Sequence, residues 1–329
     1  MFNSLFILIG TFIGAGFASG KEIFSFFTIN GLSGIISIFI INFLMFFIFY
    51  KILNIRFKYN LDNYSNFLEL LNSRHTLFNN RIFLFIINVF LAATFYIMLV
   101  ALCTLFNFQF GISKKIINLI IIFLCYNIFN KNNLNFIYFF NNLLMPFLIV
   151  SLIYISINNI NLNLINFNYD ISLIKAIISG LLYFSYNSLI IIPILFKIKI
   201  KSKKNNLFLS FLFTFIIFIL SNLINLLLLS NYNFTKDIDL PILAICKNKS
   251  DFYSYTYFFI ILSAILSTLF SSGFSFITNI NKKNKRTTLI IFLSFSFVFE
   301  FISFSNLINT LYPFFGLLGL VQIFNVLFF

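Results

Sequence analysis

The feature that most constrains this chain is the recurrence, ten times over, of apolar stretches long enough to cross a bilayer. A hydrocarbon core needs about 20 apolar residues per helix. Such stretches lie at 3–29, 33–52, 82–108, 114–130, 134–158, 172–196, 206–230, 253–280, 287–307 and 309–328. Inside lipid every backbone polar group has to be satisfied within its own segment, so each stretch is expected to be a helix. The predicted fold class is all-α integral membrane, with about ten transmembrane helices and no soluble domain of any size. Only 9% of the 329 residues are charged, against about a quarter in a soluble domain, too few to cover a water-facing surface. The fourth and fifth stretches are the least well separated, around Lys131 to Asn133.

A formal net charge of +14 would suit nucleic acid if it formed a patch. Instead Lys and Arg fall in short clusters between apolar stretches, as orientation signals do, so the expected partner is the lipid bilayer, not nucleic acid. With the N-terminus cytoplasmic, the inner loops carry Lys51, Arg56, Lys58, Arg74, Arg81 and Lys131. They also carry Lys197, Lys199, Lys201, Lys203, Lys204, Lys282, Lys283, Lys285 and Arg286. The outer loops carry Lys114, Lys115, Lys175, Lys236, Lys247 and Lys249, the last three offset by Asp237, Asp239 and Asp251. This alternation predicts a multi-pass protein of the cell membrane with its N-terminus inside. The first stretch lacks a basic leader and runs past a polar break, so it is read as a retained helix. Two loops are long. Residues 53–81 are expected to be cytoplasmic, with a short surface helix around Asn66 to Leu71. In the external loop 231–252, the string DLPILAICK is apolar enough to fold back onto the protein.

Glycine is unevenly placed. Gly10, Gly14, Gly16 and Gly20 fall in the first stretch, out of 11 in the chain, and Lys21 and Glu22 follow at once. A helix-interior glycine costs about 1 kcal/mol relative to alanine and opens conformations other residues resist. Small residues four apart also let helices pack closely, so packing and interruption both explain the pattern. The sixth stretch tips the balance towards interruption. It reads SGLLYFSYNSLIIIPIL, polar from Tyr183 to Ser188, with Pro193 shortly after. Broken helices at matching positions of two halves point to an inverted-repeat transporter with its site at the breaks. Unwound peptide groups need a partner at that depth: half-helix N-termini attract a carboxylate and free carbonyls a cation.

The string IGTFIGAGFASGKEIFSFF at 9–27 resembles the opening helix of the YkvI-like bacterial membrane proteins. LLYFSYNS at 181–188 and SNLINTLYPFFGLLGL at 305–320 are similar to that family's sixth and last helices. The family falls in the amino acid–polyamine–organocation superfamily, with the five-plus-five inverted repeat of the leucine-transporter fold. The resemblance implies two five-helix repeats, 1–158 and 159–329, discontinuous first and sixth helices, and transport as the class of function, without naming a substrate. It implies a small-molecule substrate between Gly14, Ala15, Gly16, Phe17, Ala18, Ser19 and Gly20 on one side and Tyr183, Ser185, Tyr186 and Asn187 on the other. Backbone there would hold a polar or carboxylate group, and Phe17, Tyr183 and Tyr186 would wall the pocket. In sodium-coupled relatives the ion sits between first-helix carbonyls and eighth-helix hydroxyls. The matching hydroxyls here are Ser267/Thr268 and Ser271/Ser272, and hydroxyl and carbonyl oxygens suit a hard cation; helix–helix hydrogen bonding is the plain alternative. Some proton-coupled relatives carry a lysine on the fifth helix. This chain has only Asn141 and Asn142 there, which leans towards sodium.

Charged residues inside spans are expensive and usually functional. Glu22, after the first break, and Glu300, at mid-span in the ninth stretch, are candidate proton carriers. A pair with Lys21 or a helix cap is the plain alternative for Glu22, and a bond to a neighbouring Ser or Asn for Glu300. An enzyme is not expected: the single histidine, His75, lies in a loop, and no span gathers a Ser–His pair, an acidic pair or a metal cluster. Cys103, Cys125 and Cys246 lack metal-ligand spacing, so no metal or cofactor is expected beyond Na+ or H+ as coupling ion. A channel is disfavoured for want of a filter-like motif. The expected function is secondary active transport of a small polar solute, an amino acid or related amine. The alternative is a non-transporting membrane sensor or assembly subunit that keeps the fold.

Overall fold

Each apolar stretch winds into helix, because hydrogen bonds closed within the segment satisfy its backbone without water. A computed structural model describes residues 2–61, 63–72, 80–131, 134–165, 172–196, 202–279 and 285–329. Arg74, His75, Lys197, Lys199, Lys201, Lys282 and Lys283 lie outside the described residues, as do positions 132 and 133 between the fourth and fifth stretches. So do the side chains of Asn141 and Asn142.

All regular structure among the described residues is helical. The first span is split into α1 (Phe2–Phe12), α2 (Ala15–Ser19) and α3 (Lys21–Phe26). There follow α4 (Gly31–Lys58), α5 (Tyr64–Asn72), α6 (Asn80–Phe110), α7 (Lys114–Lys131), α8 (Leu134–Asn159), α9 (Leu173–Leu195) and α10 (Lys203–Ser230). The chain closes with α11 (Tyr232–Thr235), α12 (Pro241–Lys249), α13 (Asp251–Asn279), α14 (Lys285–Ser294), α15 (Ser296–Phe299) and α16 (Phe304–Phe328). Helix therefore lies over all ten apolar stretches. Among the described residues six runs are long and apolar enough to cross a membrane: Lys21–Lys58, Leu84–Phe110, Leu173–Leu195, Lys203–Ser230, Asp251–Ile277 and Phe304–Phe328.

The outer helices turn large apolar side chains outward, among them Phe39, Phe43, Phe123, Phe147 and Val150, each more than 60% exposed. Water does not tolerate apolar surface on that scale; lipid does. The interrupted first span lies at the opposite extreme, with Ile9, Ile13, Ala15, Phe17 and Ala18 fully buried. Around it the helices come close where side chains are small. A methyl at Gly316 would lie 2.7 Å from the Leu182 carbonyl oxygen, and Gly319 abuts the Ser185 carbonyl, so α16 and α9 approach backbone to backbone.

Two expectations need correction. The sixth stretch is not discontinuous: α9 is helical from Leu173 to Leu195. Its polar residues turn back onto their own helix. Ser185 Oγ donates to the Leu181 carbonyl at 2.6 Å, Asn187 Nδ2 to Tyr183 O at 3.0 Å and Ser188 Oγ to Ser185 O at 2.7 Å. Pro193 lies inside α9, where it withholds one N–H from the Leu189 carbonyl without ending the helix. Nor is Glu300 at mid-span. It follows α15 as the helix ends, before the turn into α16, and is half-buried. The expected short helix in the first long loop is α5, with Phe67 and Leu71 buried and Tyr64 accepting from Gln322 Nε2 at 2.6 Å. The second long loop folds back as expected, with Ile242 and Leu243 of α12 fully buried.

Candidate functional site

The break begins at Gly14, whose φ of −90° and ψ of −173° are extended. The Ile13 N–H still reaches the Ile9 carbonyl at 2.8 Å, but the Gly14 N–H turns to Phe12 O at 3.1 Å. One turn later Gly20 ends α2 in the left-handed region, φ 84°, which favours glycine. A methyl there would also meet Ile242 Cγ1 of α12 at 2.8 Å. The first amides of a helix have no acceptor within it. Here the Glu22 carboxyl returns from α3 to supply one. It accepts from the Phe17 N–H and, at 2.6 Å, from the Tyr186 hydroxyl. Gly16 makes this approach possible, because a methyl would stand 2.7 Å from Glu22 Cδ. At the other end of α2, Tyr257 on α13 donates to the Ala18 carbonyl at 2.5 Å, and Ser19 Oγ donates to Gly16 O at 3.0 Å. The protein's own side chains thus reach both ends of α2, and its own carboxyl stands where a guest carboxylate was expected.

Aromatic rings surround that carboxyl. Tyr186 stacks on Tyr312 of α16 at 4.5 Å between centroids and meets Tyr183 edge-on at 5.7 Å. Phe26 leans on both, at 5.6 Å from Tyr183 and 5.8 Å from Tyr186. Phe17 packs edge-on against Phe12 at 6.0 Å. Tyr183, buried among Phe12, Phe26 and Phe27, has no hydrogen-bond partner for its hydroxyl among the described residues. Of the sixth-stretch candidates, Tyr183 and Tyr186 join the first-span break. The Ser185 and Asn187 side chains serve α9 itself.

Two cavities open at the end of the bundle where the loop 231–249 lies. One, of about 450 Å3, is lined by Lys21, Ser25, Phe26, Ser179, Leu182 and Asn309 among others. The second, of about 620 Å3, shares Lys21, Lys236 and Asn309 and adds Asp237 and Asp239. Between them Lys21, itself buried, donates from Nζ to the carbonyls of Ile238 at 3.0 Å and Lys236 at 3.4 Å. Asp239 ties the same loop to the start of α16, accepting from the Ser305 N–H at 3.0 Å and from its hydroxyl. Ser25 donates to Asn309 Oδ1 at 2.7 Å. Lys21 therefore holds the loop and does not pair with Glu22.

The eighth-stretch hydroxyls separate. Thr268 stands beside the break, its Oγ1 3.8 Å from where a Gly14 methyl would be, and donates to Ala264 O at 3.0 Å. Ser272 turns back to Thr268 O at 2.8 Å. Ser267 is buried and Ser271 half-buried.

Neither a protein-family model nor a curated protein matches the chain. Solved structures do. A mutant form of the manganese transporter of Eremococcus coleocola aligns with 99% of this chain and 77% of its own, with a TM-score of 0.62 and 13% identity. The same transporter in complex with an aromatic bis-isothiourea substituted compound aligns over the same shares with a TM-score of 0.55 and 14% identity. The chain has the fold of a transporter. Identity at that level extends to the path of the backbone, not to the cargo.

Several participants carried no local signal. Tyr312 and Tyr257 come from helices far along the chain. Thr28 binds Asn225 of α10 at 2.8 Å, leaving Asn225 Nδ2 and Ser221 Oγ buried without partners among the described residues. Only Asn225 and Ser221, polar at helical spacing in an apolar stretch, could have been picked out beforehand.

Proposed function

We propose that the chain is a secondary active transporter of a small polar solute, an amino acid or related amine, driven by sodium or protons. It works as a ten-helix, five-plus-five inverted repeat in the cell membrane with its N-terminus in the cytoplasm. The observation that carries this reading is the interrupted first span, a fully buried helix fragment whose ends are held by side chains that a guest can displace. A protein that only needed to anchor itself would gain nothing from such a break, since continuous helix satisfies the backbone without help. The transporter fold of the similar structures supports the same reading. Rocking one set of helices against the other would expose the break alternately to the two sides. On this orientation the two cavities open outward, beneath the loop that Lys21 and Asp239 hold.

Manganese, the cargo named for the similar structures, fits less well. Among the described residues no group of three or more His, Cys, Asp and Glu side chains gathers to hold a metal ion, so a manganese site here would rest on backbone carbonyls and water around few carboxylates. Thr268 beside Gly14 supports sodium as the coupling ion, and Glu22 supports a proton. The test is uptake of labelled amino acids and amines into proteoliposomes under imposed sodium or proton gradients. Accumulation that collapses with the gradient is the expected result. Saturable binding without any flux would replace this reading with that of a membrane sensor keeping the fold.

A further inference from the structure

Glu22 is a carboxylate sealed inside the protein, 3% exposed, and no basic side chain is among its partners. The adjacent cation, Lys21, spends its ammonium on the Lys236 and Ile238 carbonyls. Both donors that reach Glu22, the Tyr186 hydroxyl and the Phe17 N–H, are neutral. A buried carboxylate in a membrane protein is ordinarily matched by a positive charge; this one has none among the described residues. The walls beside it are aromatic: Tyr186 and Tyr312 stacked, Tyr183 edge-on, Phe26 across both. Aromatic faces around an acid are the surroundings that organic cations favour. Independently, the Tyr183 hydroxyl is buried without a partner among the described residues, so the cluster also holds an unused hydrogen-bonding group.

We propose that the cargo is recognised through an ammonium group, with Glu22 as its counter-charge and Tyr183, Tyr186, Tyr312 and Phe26 as its walls. A carboxylate on the cargo is then not what the break holds. The proposal rests on the transport reading for the location of the site, and it specifies the chemistry of the guest. Entry is from the 450 Å3 cavity. Its lining includes Phe26 and Leu182, next to Tyr183, together with Asn309 and Pro313, which flank Tyr312. Phe26 alone belongs both to that lining and to the aromatic cluster, so its movement would open the way from the cavity to Glu22. Lys175 and Lys236 at the cavity affect how fast a cation arrives, not which group the carboxylate prefers once it is there.

The experiment compares matched triplets with the full-length purified protein by thermal stabilisation: valine, isobutylamine and isovalerate, and likewise phenylalanine, phenethylamine and 3-phenylpropanoate. Each triplet removes first the carboxylate and then the amine. The amines are expected to bind at least as tightly as the amino acids, and the acids at least about ten-fold more weakly than the amines. Glu22→Gln is expected to erase the preference for amine over acid, and Glu22→Asp to retain it with weaker binding. Should Glu22→Gln fail to fold, the order within the wild-type triplets and the Asp variant still decide. Acids binding as well as amines, no member of either triplet binding, or Mn2+ stabilising in a Glu22-dependent way while amines do not would each overturn the proposal. Amine binding without uptake in proteoliposomes would remove the transport reading and leave this one standing.

Discussion

The two glycines flanking the start of α2 make opposite predictions for the same substitution. A methyl at Gly16 would lie 2.5 Å from Glu22 Cγ and 2.7 Å from Cδ, inside any tolerable contact, so the carboxyl must leave the Phe17 N–H. Replacing glycine in a helix contributes about 1 kcal/mol in favour of the variant. Overpacking costs about 1–3 kcal/mol, and losing a charge-assisted hydrogen bond about 1.5–3 kcal/mol. Gly16→Ala should therefore destabilise by about 1.5–5 kcal/mol. At Gly14 a methyl meets nothing nearer than Met98 Cε at 3.6 Å and Thr268 Oγ1 at 3.8 Å, and the extended backbone there is open to any residue. Gly14→Ala should stay within about 1 kcal/mol of the parent, since alanine is the poorer N-cap but also lowers the entropy of the unfolded chain. Thermal unfolding of both variants in the same detergent reads the difference, with a clearly lower midpoint for Gly16→Ala alone. Equal midpoints, or loss at Gly14 only, would refute the account of how the break is closed.

Three further outcomes follow from contacts around the site. Burial pushes the Cys246 thiol on α12 up to about 12, so it should resist maleimide at neutral pH. Lys21→Met, which frees the loop above it, should speed its labelling several-fold, measured with Cys103 and Cys125 replaced by serine. Tyr257→Phe leaves the Ala18 carbonyl without its donor and should cost about 1–3 kcal/mol in thermal unfolding; no change would mean that water or another group meets that carbonyl. If sodium is the coupling ion, Thr268→Val should abolish sodium-dependent stabilisation while Ser272→Ala, whose hydroxyl serves its own helix, should preserve it. The reverse pattern would displace the ion from the break.

The all-helical membrane fold was legible because lipid permits little else: twenty apolar residues in a row have one way to satisfy their backbone. The first break was legible because Gly14, Gly16 and Gly20 lie within one turn or two of each other. The sixth stretch misled for a local reason. Ser185, Asn187 and Ser188 look the same in sequence whether they mark unwound backbone or, as here, cap the carbonyls of continuous helix. The position of Glu300 was misjudged because the ninth helix ends earlier than its apolar run. What the residues could not announce is the return of Glu22 onto α2. That depends on the space left by Gly16 and on Tyr186, some 160 positions away. The aromatic wall from Tyr312 and the hold of Lys21 on the external loop are likewise products of packing, not of any local pattern.

The most direct test of the central claim is exchange of a labelled amine across proteoliposome membranes, comparing wild type with Glu22→Gln at equal amounts of folded protein. Saturable exchange in the wild type that disappears in the variant is the predicted result. Undiminished exchange by Glu22→Gln would show that the cargo passes elsewhere and that the broken first span is not where it binds.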